Sequence, residues 1–144
     1  ENGMLQINAI GFAAIANFAF NYFKNEKRAG QIVGISSVMG VRGMRHAIGY
    51  GATKAFMTNY MEGQRHKAAK EKLPIAITDV RPGFVDTDMT KGQQGMFWLQ
   101  PVEKAARQIV DAIEQKRKVV YITKRWWFAG ALMPLVPDFL WHKS

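Results

Sequence analysis

The chain has 144 residues, a length that suits one domain, and at 48% hydrophobic and 22% charged it can bury a core. It contains no Cys, which excludes a disulfide scaffold and thiolate metal sites, and no metal site is expected. The net charge is +9 and the pI near 10.0, but the cations gather at 24–28, 65–72 and 116–125, the first two at the ends of expected helices where they complement the dipole, and no aromatic residues interleave with them as a nucleic-acid surface would require.

The first expected element is a helix from Met4 to Phe23, apolar almost all round (Leu5, Ile7, Ile10, Phe12, Ile15, Phe18, Phe20), which predicts burial on more than one side. Asn8, Asn17 and Asn21 interrupt it, and it barely reaches the roughly 20 residues a bilayer span needs, so a core helix is expected. Glu1 opens the chain directly in this run, with no signal peptide, so the sequence reads as a piece of something longer. The polar linker Asn25–Gly30 ends in Gly, a helix stop. Gln31–Ser37 reads as a buried strand. A glycine-containing loop, Val38–Gly49, leads to a second long helix, Tyr50–Lys72. Pro74 introduces the strand Ile75–Arg81, which Pro82-Gly83 ends. A polar loop covers Asp86–Gly95. Pro101 suits the first turn of a third helix reaching Lys116, and Val119–Thr123 is a last strand. Strands separated by helices predict an α/β fold, a parallel sheet of about three strands with flanking helices.

The tail, Trp126–Trp141, is apolar but twice broken by Pro134 and Pro137, a poor spanning helix. Its Trp residues beside Lys124 and Arg125 suit a membrane interface. The same residues suit packing over a substrate pocket or a partner subunit.

Tyr50 and Lys54 stand four apart at the start of a helix, which stacks their side chains on one face. A free Tyr, with a pKa of about 10, is a poor proton donor or acceptor near neutrality. A neighbouring ammonium favours the phenolate, and general acid–base work needs a pKa near the working pH. The pair is therefore a sensible proton-transfer unit, although Tyr and Lys are common on helices. Ser36 and Ser37 lie at the end of a strand, Ser37 thirteen residues before Tyr50. Open parallel sheets bind ligands at their strand carboxyl ends, and a Ser there can donate to a carbonyl oxygen or merely cap the turn. The next strand ends in Arg81-Pro82-Gly83-Phe84-Val85-Asp86-Thr87, on the same rim.

With Ile7-Asn8-Ala9-Ile10-Gly11, Ile35-Ser36-Ser37-Val38-Met39-Gly40, Tyr50-Gly51-Ala52-Thr53-Lys54 and Pro82-Gly83-Phe84-Val85-Asp86-Thr87 in this order and spacing, the sequence resembles the short-chain dehydrogenase/reductase family, up to about Thr123. The resemblance implies a partial Rossmann-like sheet, residues 1–144 being the C-terminal portion of a single domain with 126–144 as its tail. It implies an NAD- or NADP-dependent oxidoreductase transferring hydride to or from a carbonyl or secondary alcohol. Tyr50 would be the general acid/base and also contact the cofactor, and Lys54 would lower the Tyr50 pKa and hydrogen-bond the nicotinamide ribose. Ser37, rather than Ser36, would orient the substrate oxygen. Asn8 would hold a water in the proton relay, although one Asn in an apolar helix can simply bond backbone. Pro82, Gly83, Val85 and Thr87 would lie beside the nicotinamide. Nothing matches the family's glycine-rich phosphate turn, so these residues alone are expected to bind cofactor poorly, and the Gln31–Ser37 strand is expected to expose an unpaired edge.

The resemblance also implies a homodimer or homotetramer through helices 4–23 and 50–72, a cytoplasmic or membrane-peripheral location, and a small carbonyl or alcohol substrate. Met89, Met96, Phe97, Trp98 and Trp126–Phe128 hint that this substrate is apolar. A non-catalytic binding or scaffolding member of the family is the alternative, against which the joint presence of Ser37, Tyr50 and Lys54 argues.

Overall fold

A computed structural model of the chain describes residues 2–86 and 98–141. Three short runs rich in β-branched residues form the strands β1 (Gly30–Ile35), β2 (Ile75–Pro82) and β3 (Val119–Ile122). They pair in parallel in the order β1-β2-β3, with Ile35 opposite Val80 and Pro82 opposite Ile122. Because side chains alternate along a strand, Ile32, Ile75 and Ile77 face one side, where Phe20, Met57, Met61 and Ala68 close a core. Val33, Val80, Val120 and Ile122 face the other, where Ala105 and Ile109 cover them. This is the expected α/β arrangement of a small parallel sheet with flanking helices.

The helices are α1 (Asn2–Leu5), α2 (Phe12–Asn25), α3 (Ile48–Lys70), α4 (Val102–Glu114), α5 (Lys124–Leu132) and α6 (Asp138–Trp141). A π-helical stretch, Gln6–Gly11, joins α1 to α2, so that 2–25 is one helical run with a widened turn in it. That run is long and apolar enough to cross a membrane by length and composition; here Phe20 sits in the core against α3 and β1. Its burial corrects the sequence expectation. Ala16 and Phe20 are buried, but Ile7, Ile10, Ile15 and Phe18 are each about 70% exposed. A second packing surface for that face is not among the described residues.

The ends of three helices also differ from expectation. Gly30 is not a helix stop: it lies in β1, where a Cβ would come within 2.3 Å of the Phe23 ring. The chain reverses instead at Lys27, Lys72 and Lys116, all at positive φ. Each sits just past a helix, and the N–H of the next residue returns to a carbonyl in the last turn: Arg28 to Phe23, Leu73 to Ala68, Arg117 to Ala112. These are Schellman closures, made with lysines where Gly or Asn would be usual. The cationic side chain next to the negative end of the dipole offsets part of the backbone cost.

Along its other side β1 has no pairing partner among the described residues, as expected of an edge. The Pro-broken tail folds as α5, a 3-10 turn over Met133–Leu135, and α6.

Candidate active site

The rim to consider is the carboxyl end of the sheet, where β1 and β2 deliver adjacent residues. Ser36 continues the β1 ladder, its N–H bonding the Val80 carbonyl. Its hydroxyl is committed inward, donating to Asp79 Oδ1 at 2.5 Å and lying 3.2 Å from the Val80 carbonyl oxygen. Asp79 is fully buried and also accepts from Arg81 Nε at 2.7 Å; Arg81 Nη1 donates to the Tyr121 hydroxyl at 2.8 Å. Ser37 points elsewhere. Its extended backbone caps a short 3-10 turn, Val38–Gly40, and its Oγ accepts from the Met39 N–H at 3.1 Å. That bond uses an oxygen lone pair and leaves the hydroxyl proton to donate.

The 3-10 turn is pressed onto the start of α3. A Cβ on Gly40 would come within 2.7 Å of the Lys54 carbonyl carbon, and one on Gly51 within 2.9 Å of the Met39 carbonyl oxygen. Both glycines are therefore needed for close approach, and the approach brings the residues after Ser37 against the turn that carries Tyr50 and Lys54. Helix α3 starts at Ile48, two residues earlier than expected, so Tyr50 lies within its first turn. Lys54 Nζ lies 5.6 Å from the centre of the Tyr50 ring and donates to the Ile35 carbonyl at 2.9 Å. One cation thus links the helix to the last residue of β1. Partial burial lowers the Lys54 pKa from its ordinary value.

Asn8 falls inside the π-helical stretch. Its Nδ2 donates to Thr53 Oγ1 at 3.2 Å, and that hydroxyl donates to the Tyr50 carbonyl at 2.8 Å. Wide π turns give up regular helical hydrogen bonding and recur at functional sites. Here the turn carries the one Asn of the helix that reaches α3. Thr53 is fully buried. Sequence reading overlooked it, although a hydroxyl three residues along a helix regularly bonds back to a carbonyl.

At the end of β2, the Gly83 N–H bonds the Ile122 carbonyl, and the Trp126 indole lies directly on Gly83, where a Cβ would clash at 1.9 Å. Trp126 is buried and meets Phe84 and Trp98 edge-on. The tail thus docks by one tryptophan on the Pro82-Gly83 turn. Val85 bridges to Gln100. Thr87, Met89, Met96 and Phe97 lie outside the described residues. A depression of about 1110 Å³ borders β3 between α4 and α5, and neither Tyr50 nor Ser37 lines it. A smaller one, about 440 Å³, is lined by Gly40, Arg42, Met44, Ile48, Gly51 and Ala55, beside the Tyr50 turn. Tyr50, Lys54 and Ser37 do not line this one either, but Gly51 and Ala55 follow Tyr50 and Lys54 directly in α3, which sets it next to their turn.

The family model for short chain dehydrogenases matches residues 2–96. The chain belongs to the short-chain dehydrogenase family. An uncharacterized oxidoreductase of Myxococcus xanthus is 33% identical over 88 residues, which is 61% of this chain and 34% of that protein. A 3-oxoacyl-(acyl-carrier-protein) reductase FabG of Chlamydia muridarum is 38% identical over 65 residues, 45% of this chain and 25% of that protein. A short chain dehydrogenase from Burkholderia cenocepacia, solved in complex with NADP, superposes with a TM-score of 0.78 at 19% identity, covering 99% of this chain and 57% of that one. The chain therefore spans about a third or less of the length of these curated relatives and just over half of the solved one. The shared fold identifies the three strands as part of a Rossmann-like sheet.

Of the residues expected at a short-chain dehydrogenase site, the structure joins Asn8, Tyr50 and Lys54 through Thr53 and the α3 backbone, and sets the Ser37 turn against the same helix. Ser36, which the resemblance does not assign to the site, is locked to Asp79. It places Pro82, Gly83 and Val85 at the end of the neighbouring strand.

Proposed function

We propose that these residues carry the proton-transfer half of an NAD- or NADP-dependent oxidoreductase acting on a carbonyl or secondary alcohol. The observation that carries the proposal is the Lys54 ammonium, fixed by the Ile35 carbonyl and set against the Tyr50 ring in the first turn of α3. A cation and the positive end of a helix dipole both favour negative charge developing on the phenol oxygen. Tyr50 then gives its proton to a substrate carbonyl oxygen in reduction and takes one from an alcohol in oxidation. Ser37 donates to the same oxygen and orients it. Asn8 and Thr53 fix the backbone under Tyr50, and Asn8 holds a water of the proton relay.

The donor set fits the nicotinamide end of a dinucleotide, with Lys54 toward the ribose hydroxyls and Pro82, Gly83 and Val85 along the ring, and the family resemblance adds Thr87 to that stretch. When bound, the dinucleotide supplies or accepts the hydride. The described residues include no glycine-rich turn at a helix N-terminus that could hold its phosphates, so binding of the whole dinucleotide needs chain beyond these residues. The exposed faces of 4–23 and of α3, which carry Ile7, Ile10, Ile15, Phe18 and Phe56, support a homodimer or homotetramer built on them.

The test is turnover by the intact protein. Loss of reduced-nicotinamide absorbance with NADPH or NADH and a panel of ketones is expected. Failure to bind either dinucleotide would favour a non-catalytic scaffolding role.

A second reading concerns location. Trp127, Phe128, Leu132, Leu135 and Phe139 are all more than half exposed and follow Lys124 and Arg125. Aromatic and apolar side chains flanked by cations suit the surface of an anionic bilayer, which would make a cytoplasmic enzyme membrane-peripheral and favour an apolar substrate. Co-sedimentation with phosphatidylglycerol vesicles is expected, and a Trp127→Ser/Phe128→Ser/Leu135→Ser variant should stay in the supernatant. Removing the tail from 126 onward is the poorer test, because Trp126 belongs to the packed interior. Equal sedimentation of both proteins rules the tail out as the anchor.

A further inference from the structure

The geometry points to Arg42 as a positioning residue that straps the segment Met133–Trp141 across the loop between Ser37 and Tyr50, so that the loop, backed by that segment, forms an outer wall of the substrate cleft. The second half of this rests on the function proposed above; the strap itself does not.

Arg42 lies in the middle of the 38–47 loop, yet its side chain is only 15% exposed. One guanidinium nitrogen donates to the Met133 carbonyl at 2.6 Å and to the Val136 carbonyl. The other pairs with Asp138 Oδ1 at 2.5 Å. The guanidinium carbon stands 4.7 Å from the centre of the Trp141 ring, and Trp141 Nε1 returns a hydrogen bond to the Gly43 carbonyl at 2.9 Å. Loop and tail therefore hold each other from both sides, across more than ninety residues of sequence.

The tail's own sequence creates the need for such a residue. Pro134 and Pro137 have no N–H and interrupt regular helix, leaving the Val136 carbonyl at the break between the 3-10 turn and α6 and the Met133 carbonyl, where that turn starts, with only a 3.4 Å bond from the Val136 N–H. A planar fork with five donors can serve two carbonyls and a carboxylate at once while stacking on an indole; an ammonium cannot. The other end of the tail is anchored separately, by Trp126 on Gly83. The tail 126–141 is thus fixed at the end of β2 through Trp126 and again at the loop after β1 through Arg42 and Trp141. On its inner side the loop has no slack, because Gly40 already touches the backbone of Lys54 and Ala55. Releasing the tail would free the outer side of the loop that starts at Ser37 and ends one turn before Tyr50.

The experiment compares the intact protein with Arg42→Ala, Arg42→Lys and Asp138→Asn. Backbone hydrogen exchange is followed by mass spectrometry, and steady-state reduction of straight-chain 2-alkanones of increasing length is measured with NADPH. Charge-assisted bonds of this number are expected to hold exchange in 133–141 and 38–47 at least about tenfold slower than in Arg42→Ala, with exchange in α2 and α4 unchanged. Arg42→Lys should recover only part of that protection, and Asp138→Asn should lose less than Arg42→Ala. KM for the longer ketones should rise several-fold in Arg42→Ala, with kcat changed less. Unchanged protection of 133–141 in Arg42→Ala overturns the strap. Lost protection with an unchanged chain-length preference overturns the wall. If the wild-type protein reduces none of the ketones with any dinucleotide, the proposed function and the wall fall together, and the exchange data still decide the strap.

Discussion

Tyr50→Phe is expected to lower turnover by about 10²–10⁴-fold, the range that one well-placed general acid–base contributes, while thermal stability and dinucleotide affinity stay close to wild type. The substitution removes one oxygen and keeps the ring. Lys54 keeps its bond to the Ile35 carbonyl, and Thr53 keeps its bond to the Tyr50 backbone, since neither uses the phenol. The π turn and the Asn8 contact to Thr53 are likewise untouched. What disappears is the group that can pass a proton to the substrate oxygen. The pH profile adds a second check. Burial disfavours the charged form of Lys54, so its pKa lies below the ordinary lysine value. As pH rises, the ammonium beside Tyr50 is therefore lost earlier than the roughly 10.4 of a free lysine. In alcohol oxidation, where Tyr50 acts as the base, the alkaline limb of kcat/KM should fall below that point and vanish in Lys54→Arg, whose charge persists. Wild-type turnover by Tyr50→Phe would remove the phenol from the mechanism. A large drop in Tm would show that the ring oxygen holds structure rather than protons.

The alternation of apolar helices and β-branched runs was enough to predict three parallel strands and the helices between them, because each strand here is a short run rich in β-branched residues bounded by Gly, Pro or charge. The Tyr50–Lys54 contact was legible too, since four residues bring side chains together on any helix. Helix starts and stops were less so. Helix α3 begins at Ile48 after Ala47, with no side-chain cap to announce it, and lysines at positive φ close three helices where the usual signal is Gly. The buried face of 4–23 was overestimated because an all-round apolar helix says nothing about whether its second partner belongs to the same residues. Arg42 left no local trace at all. Its partners lie at Met133, Val136, Asp138 and Trp141, and a polar loop residue looks the same whether it is solvated or holds a tail. Asp79 and Arg81 could have been found, because opposite charges two apart in an apolar strand share one face of the sheet.

That pair sets the second large effect. Asp79→Ala is expected to destabilise the protein by about 3–5 kcal/mol, the cost of leaving a buried charge without its partner. Asp79 is fully buried and accepts from Ser36 and from Arg81. Burial pulls the Arg81 pKa down, but the charge and hydrogen bond of Asp79, with the Tyr121 hydroxyl, outweigh it and hold Arg81 above its ordinary value. Arg81 is only 15% exposed, so without the carboxylate its charge has little water to turn to. Replacing both members, Asp79→Leu with Arg81→Leu, should recover much of the loss, because apolar side chains of similar volume often substitute for a buried ion pair at no cost. Denaturant midpoints at constant slope read the three proteins on one scale. Equal losses in the single and double variants would mean that packing, not the uncompensated guanidinium, is responsible. The double variant also separates stability from chemistry. Ser36 would lose its acceptor on Asp79 but keep the Val80 carbonyl, and the strand end that presents Ser37 would be held by one bond fewer. A protein restored in stability but slower in turnover would show that the Asp79 network serves the site by fixing Ser36, one residue before Ser37.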